Sequence, residues 1–585
     1  MDTKPFTCLF GGEAGYGVMS AGSLVAKSAM RSGLSAVVVN EYPSLIKGGL
    51  NTCLVRIAEQ TLLAYEEEVD FLGALSQPAF ELNIGRVKKG GSVLYDTKAV
   101  RTDSIKTPEG VRLIGVDLSG ALPEKGAKIM LNSVLLGGFC ALSGFPAASL
   151  QATLEAEFSK AEVREKNRQA FENGRALVAS VMTQTPSLSL RFSAAKGETM
   201  LINGNEAIAM AAIKGGCKFA AGYPMTPGSS VLSYLAEYGA PYGVVFKQAE
   251  DEIAAMNMLI GASFAGARCI GSTSGGGFAL MTEALGFAAQ AEIPLVMVNA
   301  QRGGPSTGQP TRTAQADLNF VLHASQGEFP RIIVAPGDVE ECFYETFRLL
   351  NLVEKYQVQG IILTDKYLAD SSFVQPFFKQ EGLVIERGKR ISEEELEQQE
   401  RYLRYQLTED GVSPRALPGQ RGGRHIATSY SHGEDGFYSS GNHEYAGDEP
   451  QNTVAMLDKW YRKIPVMLRD IPGATLYGPQ EADLTLIAWG STKGAILEAL
   501  AQEETGPYRV NFLQLRYIEP FPTEIVAAVL SKAKKTLLIE GNKTAQLGGV
   551  IRRHTGLAVD HLYLKYDSRP FVPTGIREKI REVMG

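Results

Sequence analysis

Three acids stand side by side in the segment KQAEDEIAAMNMLIGASFAGAR: Glu250, Asp251 and Glu252. Acids at a first helical turn interact favourably with the helix dipole, and that accounts for Glu250 and Asp251 without any function. Glu252 differs. Ala255, Met256, Leu259 and Gly261 give its side chain little polar company if that face is buried, and a buried carboxylate needs a partner. Upstream, GYPMTPGSS sets Thr226 before Pro227 at a strand-to-helix junction. Proline suits the first helical position and threonine the cap, leaving backbone N–H groups that favour an anion such as a carboxylate. A plain helix cap is the competing reading of that motif. Downstream, GSTSGGGFALMTEALG and VNAQRGGPSTGQPTRTAQADL each run from a strand end into a glycine-rich turn. Arg302 carries a planar fork able to grip a carboxylate bidentately, with the hydroxyls of Ser306, Thr307 and Thr311 nearby; a surface-loop arginine is the bland alternative. A fourth group, Gly11, Gly12, Gly15 and Gly17, lacks strict G-x-G-x-x-G spacing. A tight turn with no ligand competes there with a nucleotide site.

What is missing narrows the chemistry. The six cysteines lie far apart in apolar or small-residue contexts, so they read as buried side chains and not as ligands of a metal or cluster. The histidines show no metal spacing, and His432 and His443 read as solvated loop residues. No metal site is expected in this chain. A net charge of −6 with both signs mixed gives no basic field for nucleic acid. No apolar run reaches the length of a membrane span, and no secretion signal is visible, which leads us to expect a reducing, cytoplasmic setting.

Positioning these groups takes several domains. At 585 residues, with 44% hydrophobic and 21% charged residues, the chain is ordinary globular material for roughly three or four of them. Residues 1–182 alternate short apolar runs (TCLFGG, SAVVVN, SVLYDT, VRLIGV) with helical patterns, as an α/β layer does. Residues 183–197 are polar, contain proline and read as a linker. Residues 198–372 carry strand candidates CKFAAGY, YGVVFKQ, ARCIGST, IPLVMVN and RIIVAP between alanine-rich helices, the pattern of a doubly wound parallel sheet. Loops at the carboxyl ends of such strands are where ligands bind. Residues 373–470 contain a charged helix, RISEEELEQQERYLRYQL, and a Gly/Ser/His-rich loop, and read as a wrapping connector without a core. Residues 471–585 resume with ADLTLIAWG, YRVNFLQLRY and KTLLIEG as a third, smaller α/β domain.

In their order and spacing, GYPMTPGSS, EDEIAAMNMLIGASFAG and QRGGPSTGQPT resemble the alpha subunit of 2-oxoacid:ferredoxin oxidoreductases, in the fused form where a gamma domain precedes the alpha domain. FGGEAGYGVMSAGSLVAKSA and NEYPSLIKGGLNTCLVRI resemble the gamma domain; IEPFPTEIVAAVL and LLIEGNKTAQLGGVIRR resemble a transketolase C-terminal domain. The resemblance implies a multidomain α/β fold with a pyrimidine-type thiamine-diphosphate sheet. It places Glu252 at the glutamate that bonds N1′ of the aminopyrimidine, Thr226 and Arg302 at the carboxylate-binding pair, and Thr311 on the substrate side. A carboxylate at N1′ favours the imino tautomer, so that the exocyclic nitrogen can take the thiazolium C2 proton. Coenzyme A, a substrate of the family, is expected near Gly11, Gly12, Gly15 and Gly17.

No G-D-G followed by paired asparagines occurs, and GEDGFYSSGN is only a loose echo of it. The resemblance therefore assigns diphosphate, Mg²⁺ and a four-iron four-sulfur cluster to a separate beta subunit. It also implies ferredoxin as electron partner and a dimer of alpha-beta heterodimers. Two departures stand out: Lys47 where the gamma pattern has arginine, and Gly276 where proline is usual. The fused layout and the hydroxyl-rich GPSTGQPT loop favour 2-oxoglutarate over pyruvate or a branched-chain 2-oxoacid. Competing readings are a transketolase- or dehydrogenase-type thiamine enzyme and a non-catalytic coenzyme A-binding regulator.

Overall fold

The computed structural model describes residues 4–44, 48–103, 105–123, 128–182, 188–193, 197–439, 449–501 and 508–585. Lys47, His443 and most of the linker at 183–197 lie outside them. Two compact units form: one from Met1–Asn203, Asp370–Phe377 and Val572–Arg577, the other from Gly204–Ala369, Phe378–Phe571 and Glu578–Gly585.

The strands of the first unit are β1 (Phe6–Glu13), β2 (Ser35–Glu41), β3 (Leu50–Ala58), β4 (Val69–Ala74), β5 (Val87–Asp96), β6 (Arg112–Val116) and β7 (Thr199–Asn203). The second unit begins with β8 (Phe219–Gly222), β9 (Val245–Gln248), β10 (Cys269–Thr273), β11 (Leu295–Gln301), β12 (Arg331–Val334) and β13 (Gln359–Asp365). After β14 (Ser372–Pro376), a strand of the first unit, the second continues with β15 (Ala474–Tyr477), β16 (Leu484–Ala488), β17 (Val510–Leu515), β18 (Tyr517–Glu519), β19 (Thr536–Glu540) and β20 (His561–Leu564).

The first unit is a mixed sheet ordered β6-β5-β4-β1-β3-β2-β14-β7. The helix Leu131–Ser143, apolar all round and almost wholly buried, crosses the helix Ala161–Val181 where Gly137 and Gly174 leave no room for a Cβ against the partner backbone. Two small residues at one crossing let the helix axes approach closely.

In the second unit the order is β18-β12-β13-β11-β10-β8-β9, parallel throughout except for β18. β10, β11 and β13 are buried at every residue, with apolar stretches that give way to buried polar residues at their carboxyl ends. β13, QGIILTD, is absent from the strand candidates above, yet it sits between β12 and β11. A second sheet, β15-β17-β16-β19-β20, shares one continuous apolar core with the first.

The connector departs from expectation in three ways. Its charged helix is only Glu393–Glu397, opened by a Ser392/Glu395 capping box, because Tyr402, Arg404 and Tyr405 turn inward into the core just beyond it. Nor is the connector coreless: Ile391, Leu396, Tyr402 and Ala416 form a cluster of their own. His432 is buried, not solvated. Its ring packs on Tyr405 at 3.9 Å between centroids, and both ring nitrogens lie 3.0 Å from carbonyl oxygens, those of Gly433 and Gln290. The connector's long helix, Glu449–Asp470, brings Lys459 and Lys463 onto the fully buried carboxylate of Glu292. All six cysteines are buried and unpaired. No described helix is long and apolar enough to cross a membrane.

Candidate active site

The carboxyl ends of β8, β10 and β11 and the loop after β9 meet on one edge of the seven-stranded sheet. There Asp251 caps the helix Glu252–Phe264, its carboxylate accepting from the Ala254 N–H at 2.8 Å. That is the dipole role expected of it. The cap fixes the first turn and turns Glu252 inward, where it is 3% exposed. Ala255, Met256 and Leu259 continue the same buried face. Glu252 Oε1 has no hydrogen-bond partner. Burial, and secondarily the Asp251 charge, push its carboxyl above the ordinary range.

Against Glu252 lies Gly277, in the first turn of the helix Gly275–Gln290. A Cβ there would press into the Glu252 carboxylate and the Thr273 hydroxyl. The Gly277 N–H points at Met225 Sδ, 3.2 Å away. Gly276 sits in the same first turn, where a Cβ would stand 3.8 Å from Met225 Sδ, an ordinary van der Waals contact, so a side chain fits there without strain.

Thr226 does not cap a helix as expected. The helix Ser229–Tyr238 begins two residues past Pro227, capped by Gly228, which is pressed so close to the Thr273 backbone that no side chain fits. Thr226 instead offers its carbonyl oxygen to Arg302 Nη1 at 2.6 Å. Arg302 follows β11 directly, and burial lowers its pKa while Asp317 opposes the shift. Its Nε is buried and unpartnered. Ser306 and Thr307 lie exposed at the tip of the following loop, whereas Thr311 is buried on its returning limb. The Gly303 N–H, bonded to the Arg312 carbonyl at 3.2 Å, closes that loop.

Several residues that sequence reasoning missed complete the edge. Ser274, just past β10, and Asn299, in β11 beside Thr273, are fully buried, and Ser274 Oγ and Asn299 Oδ1 have no partner. Asn299 Nδ2 donates to Asp317 Oδ2 at 3.2 Å. Asp317 lies against Gly275, and burial raises its pKa. Buried polar groups are nearly always satisfied. Four unsatisfied atoms, on Glu252, Ser274, Asn299 and Arg302, mark one edge as built for a polar ligand. The unpartnered Glu252 oxygen between Met225 and Gly277 fits a hydrogen-bonding ring nitrogen, the chemistry an aminopyrimidine presents.

The four N-terminal glycines divide. Gly11 and Gly12 are buried inside β1, packed on Ala79 and Leu75, while only Gly15 (φ 95°) and Gly17 (φ 72°) make the turn into the helix Val18–Arg31. Beside Gly17 opens a cleft of about 720 Å³ whose wall includes Ser20, Ser23, Lys27 and Lys166.

The sheet that carries this buried acid lies largely within the stretch matched by a thiamine-diphosphate-binding family model, which makes the chain a thiamine-diphosphate-binding α/β subunit. Residues 210–448 match the thiamine-diphosphate-binding family model of pyruvate flavodoxin/ferredoxin oxidoreductases, and residues 7–177 match the pyruvate ferredoxin/flavodoxin oxidoreductase model. The alpha subunit of 2-oxoacid:ferredoxin oxidoreductase 2 from Aeropyrum pernix is 30% identical over 98% of this chain and 97% of its own. The 2-oxoglutarate synthase subunit KorA of Methanothermobacter thermautotrophicus is 33% identical over 62% of this chain and 92% of its own. The structure of 2-oxoglutarate:ferredoxin oxidoreductase from Magnetococcus marinus, with 2-oxoglutarate, coenzyme A and succinyl-CoA bound, superposes with a TM-score of 0.91 at 32% identity, each chain covered in full. The chain belongs to the alpha subunits of the 2-oxoacid:ferredoxin oxidoreductases, with a gamma-like domain at its N-terminal end.

Proposed function

We propose that this chain, with a beta subunit, interconverts 2-oxoglutarate, coenzyme A and oxidised ferredoxin with succinyl-CoA, CO₂ and reduced ferredoxin, the two electrons of the oxidation going to ferredoxin. The observation that carries the reading is the buried, unpartnered Glu252 Oε1. Glu252 holds N1′ of the aminopyrimidine, and the bound thiamine diphosphate supplies the carbanion chemistry that breaks the bond to the 2-oxoacid's carboxylate carbon. Arg302, steadied by the Thr226 carbonyl, binds that carboxylate, and the Thr226 hydroxyl and Thr311 help orient the substrate. Thr311 is buried, while Thr226 and Arg302 are half-buried and so reachable by a substrate.

The preference for 2-oxoglutarate draws support from the ligand named for the Magnetococcus marinus enzyme and from the Ser306–Thr307 hydroxyls, free at the loop tip for a second carboxylate. Coenzyme A docks by the turn of Gly15 and Gly17, with Gly11 and Gly12 shaping the strand beneath; Lys27 and Lys166, which pair with Glu157 and Glu162 in this structure, would exchange those partners for its phosphates. Diphosphate, Mg²⁺ and the four-iron four-sulfur cluster belong to the beta subunit, and the assembly is a dimer of alpha-beta heterodimers working in the cytoplasm. The division at 182, 197, 372 and 470 into gamma domain, linker, pyrimidine domain, connector and transketolase-like domain belongs to the same proposal.

The test is viologen reduction by the anaerobically purified two-subunit complex with coenzyme A, comparing 2-oxoglutarate, pyruvate and 2-oxoisovalerate. Turnover confined to 2-oxoglutarate supports the reading. Preference for another acid overturns the substrate assignment, and no turnover in a complex loaded with thiamine diphosphate and iron overturns the reaction.

A further inference from the structure

In the five-stranded sheet the chain runs from β16 through the helix Thr492–Ala501 to β17 on one side, and from β19 through the helix Gln546–Thr555 to β20 on the other. β16 and β19 are parallel neighbours, so the crevice past their carboxyl ends is the topological switch point, where open α/β sheets take their ligands. Here the crevice is filled by a side chain of the same polypeptide. Gln315, 3% exposed, donates from Nε2 to the carbonyl of Trp489, the first residue past β16, at 2.9 Å. Its Oε1 accepts from the N–H of Gly541, the first residue past β19, at 2.7 Å, and from the Thr492 hydroxyl at 3.2 Å. Its backbone N–H reaches the Gly541 carbonyl at 2.9 Å, and its own carbonyl receives Asn542 Nδ2 at 2.8 Å. Both glycines of the socket are fitted to it: a Cβ on Gly490 would stand 3.0 Å from Nε2, and one on Gly541 3.1 Å from Oε1.

Gln315 belongs to the loop that leaves β11 at Arg302, carries Thr311, and returns to the sheet edge at Asp317, whose N–H bonds the Gln301 side chain at 3.0 Å. We propose that Gln315 is a positioning residue, seated like a ligand in the switch-point crevice of the C-terminal sheet so that this sheet sets where the substrate loop holds Arg302 and Thr311. The C-terminal domain then takes part in 2-oxoacid binding while contributing no group that touches the acid. This inference rests on the proposed assignment of Arg302 and Thr311 to the substrate.

The test uses the two-subunit complex with Gln315→Ala and, from the socket side, Gly541→Ala, which crowds Gln315 without altering the loop's sequence. Two readouts are taken: amide hydrogen exchange of residues 303–317 without substrate, and KM for the 2-oxoacid beside KM for coenzyme A. Expected are exchange faster by about tenfold or more, and a comparable rise in KM for the 2-oxoacid with KM for coenzyme A unchanged. A residue that only stabilises the fold would lower the active fraction, and with it kcat, leaving both KM values in place. Unchanged exchange in both variants, or a loss confined to kcat, overturns the proposal. If the wild-type complex turns over no 2-oxoacid, the functional reading has failed, and hydrogen exchange alone then decides whether the socket holds the loop.

Discussion

Gly277 makes room for Glu252: a Cβ on residue 277 would stand 2.8 Å from Glu252 Cγ and closer still to its carboxylate. The buried acid is therefore wedged between two helix starts, its own at Asp251 and the next at Ser274. Gly277→Ala has nowhere to put its methyl group without moving Glu252 or Thr273. We predict a loss of about 1–3 kcal/mol of stability from overpacking, and a larger proportional loss of turnover than of folded complex. Activity per folded complex, with the folded fraction measured by thermal melting, checks this.

Glu252→Gln and Glu252→Ala should each cut turnover by at least about 10²-fold while the complex stays assembled, the glutamine variant with its buried volume still filled and the alanine variant with some loss of stability. The glutamine variant should also be more stable than the wild type in the absence of cofactor. The folded carboxyl has a raised pKa, so the folded state holds its proton to higher pH than the unfolded chain, and stability falls as pH rises through that interval. Glutamine carries no such penalty. Its gain in Tm at pH 7 should shrink as pH falls through the carboxylate range. Melting curves at pH 7 and within that range read the difference directly.

Arg302→Lys keeps the charge and loses the fork. With a single point charge, the variant gives up about 1–3 kcal/mol of carboxylate binding, which raises KM for the 2-oxoacid by roughly 5- to 150-fold and leaves KM for coenzyme A unchanged. Steady-state kinetics with each substrate varied in turn provide the check.

Much of this site was legible in the sequence, because its residues lie at strand ends, where apolar runs give way to glycine-rich turns. Glu252 announced itself by the apolar face that follows it, and Arg302 by its place after VMVNA. Thr226 was placed in the right loop but given the wrong local role, because packing of Gly228 on Thr273, a contact between segments some 45 residues apart in sequence, decides where the helix starts. Ser274, Asn299 and Asp317 carried no signal of their own: a serine after a strand and an asparagine within one look ordinary until their hydroxyl and amide oxygens prove buried and unpartnered. Gln315 was invisible for the same reason, since its partners Trp489, Thr492 and Gly541 lie in another sheet. The connector misled because its charge pattern imitates a solvated helix, while Arg404, Lys459 and Lys463 are in fact turned inward.

Glu292 shows what that inward turn costs to disturb. Its carboxylate takes Lys463 Nζ at 2.7 Å and pairs with Lys459 as well, all three side chains being 1% exposed or less. Burial works against the charge on Glu292, but the lysines outweigh it and hold the carboxyl well below the usual range, while burial pulls Lys459 down to about 8. Glu292→Ala would leave two ammonium groups buried without their counter-ion. We predict a loss of about 3–5 kcal/mol, seen as lowered thermal stability of the complex, with KM values unchanged in whatever fraction remains folded.

The most direct test of the central claim, that Glu252 serves the aminopyrimidine, is the rate at which the thiazolium C2 proton of bound thiamine diphosphate exchanges with deuterium in the assembled complex, followed by NMR after acid quench. Glu252→Gln should slow this exchange by at least about 10²-fold relative to the wild type, with the cofactor still bound. Equal rates in the two proteins would contradict the claim.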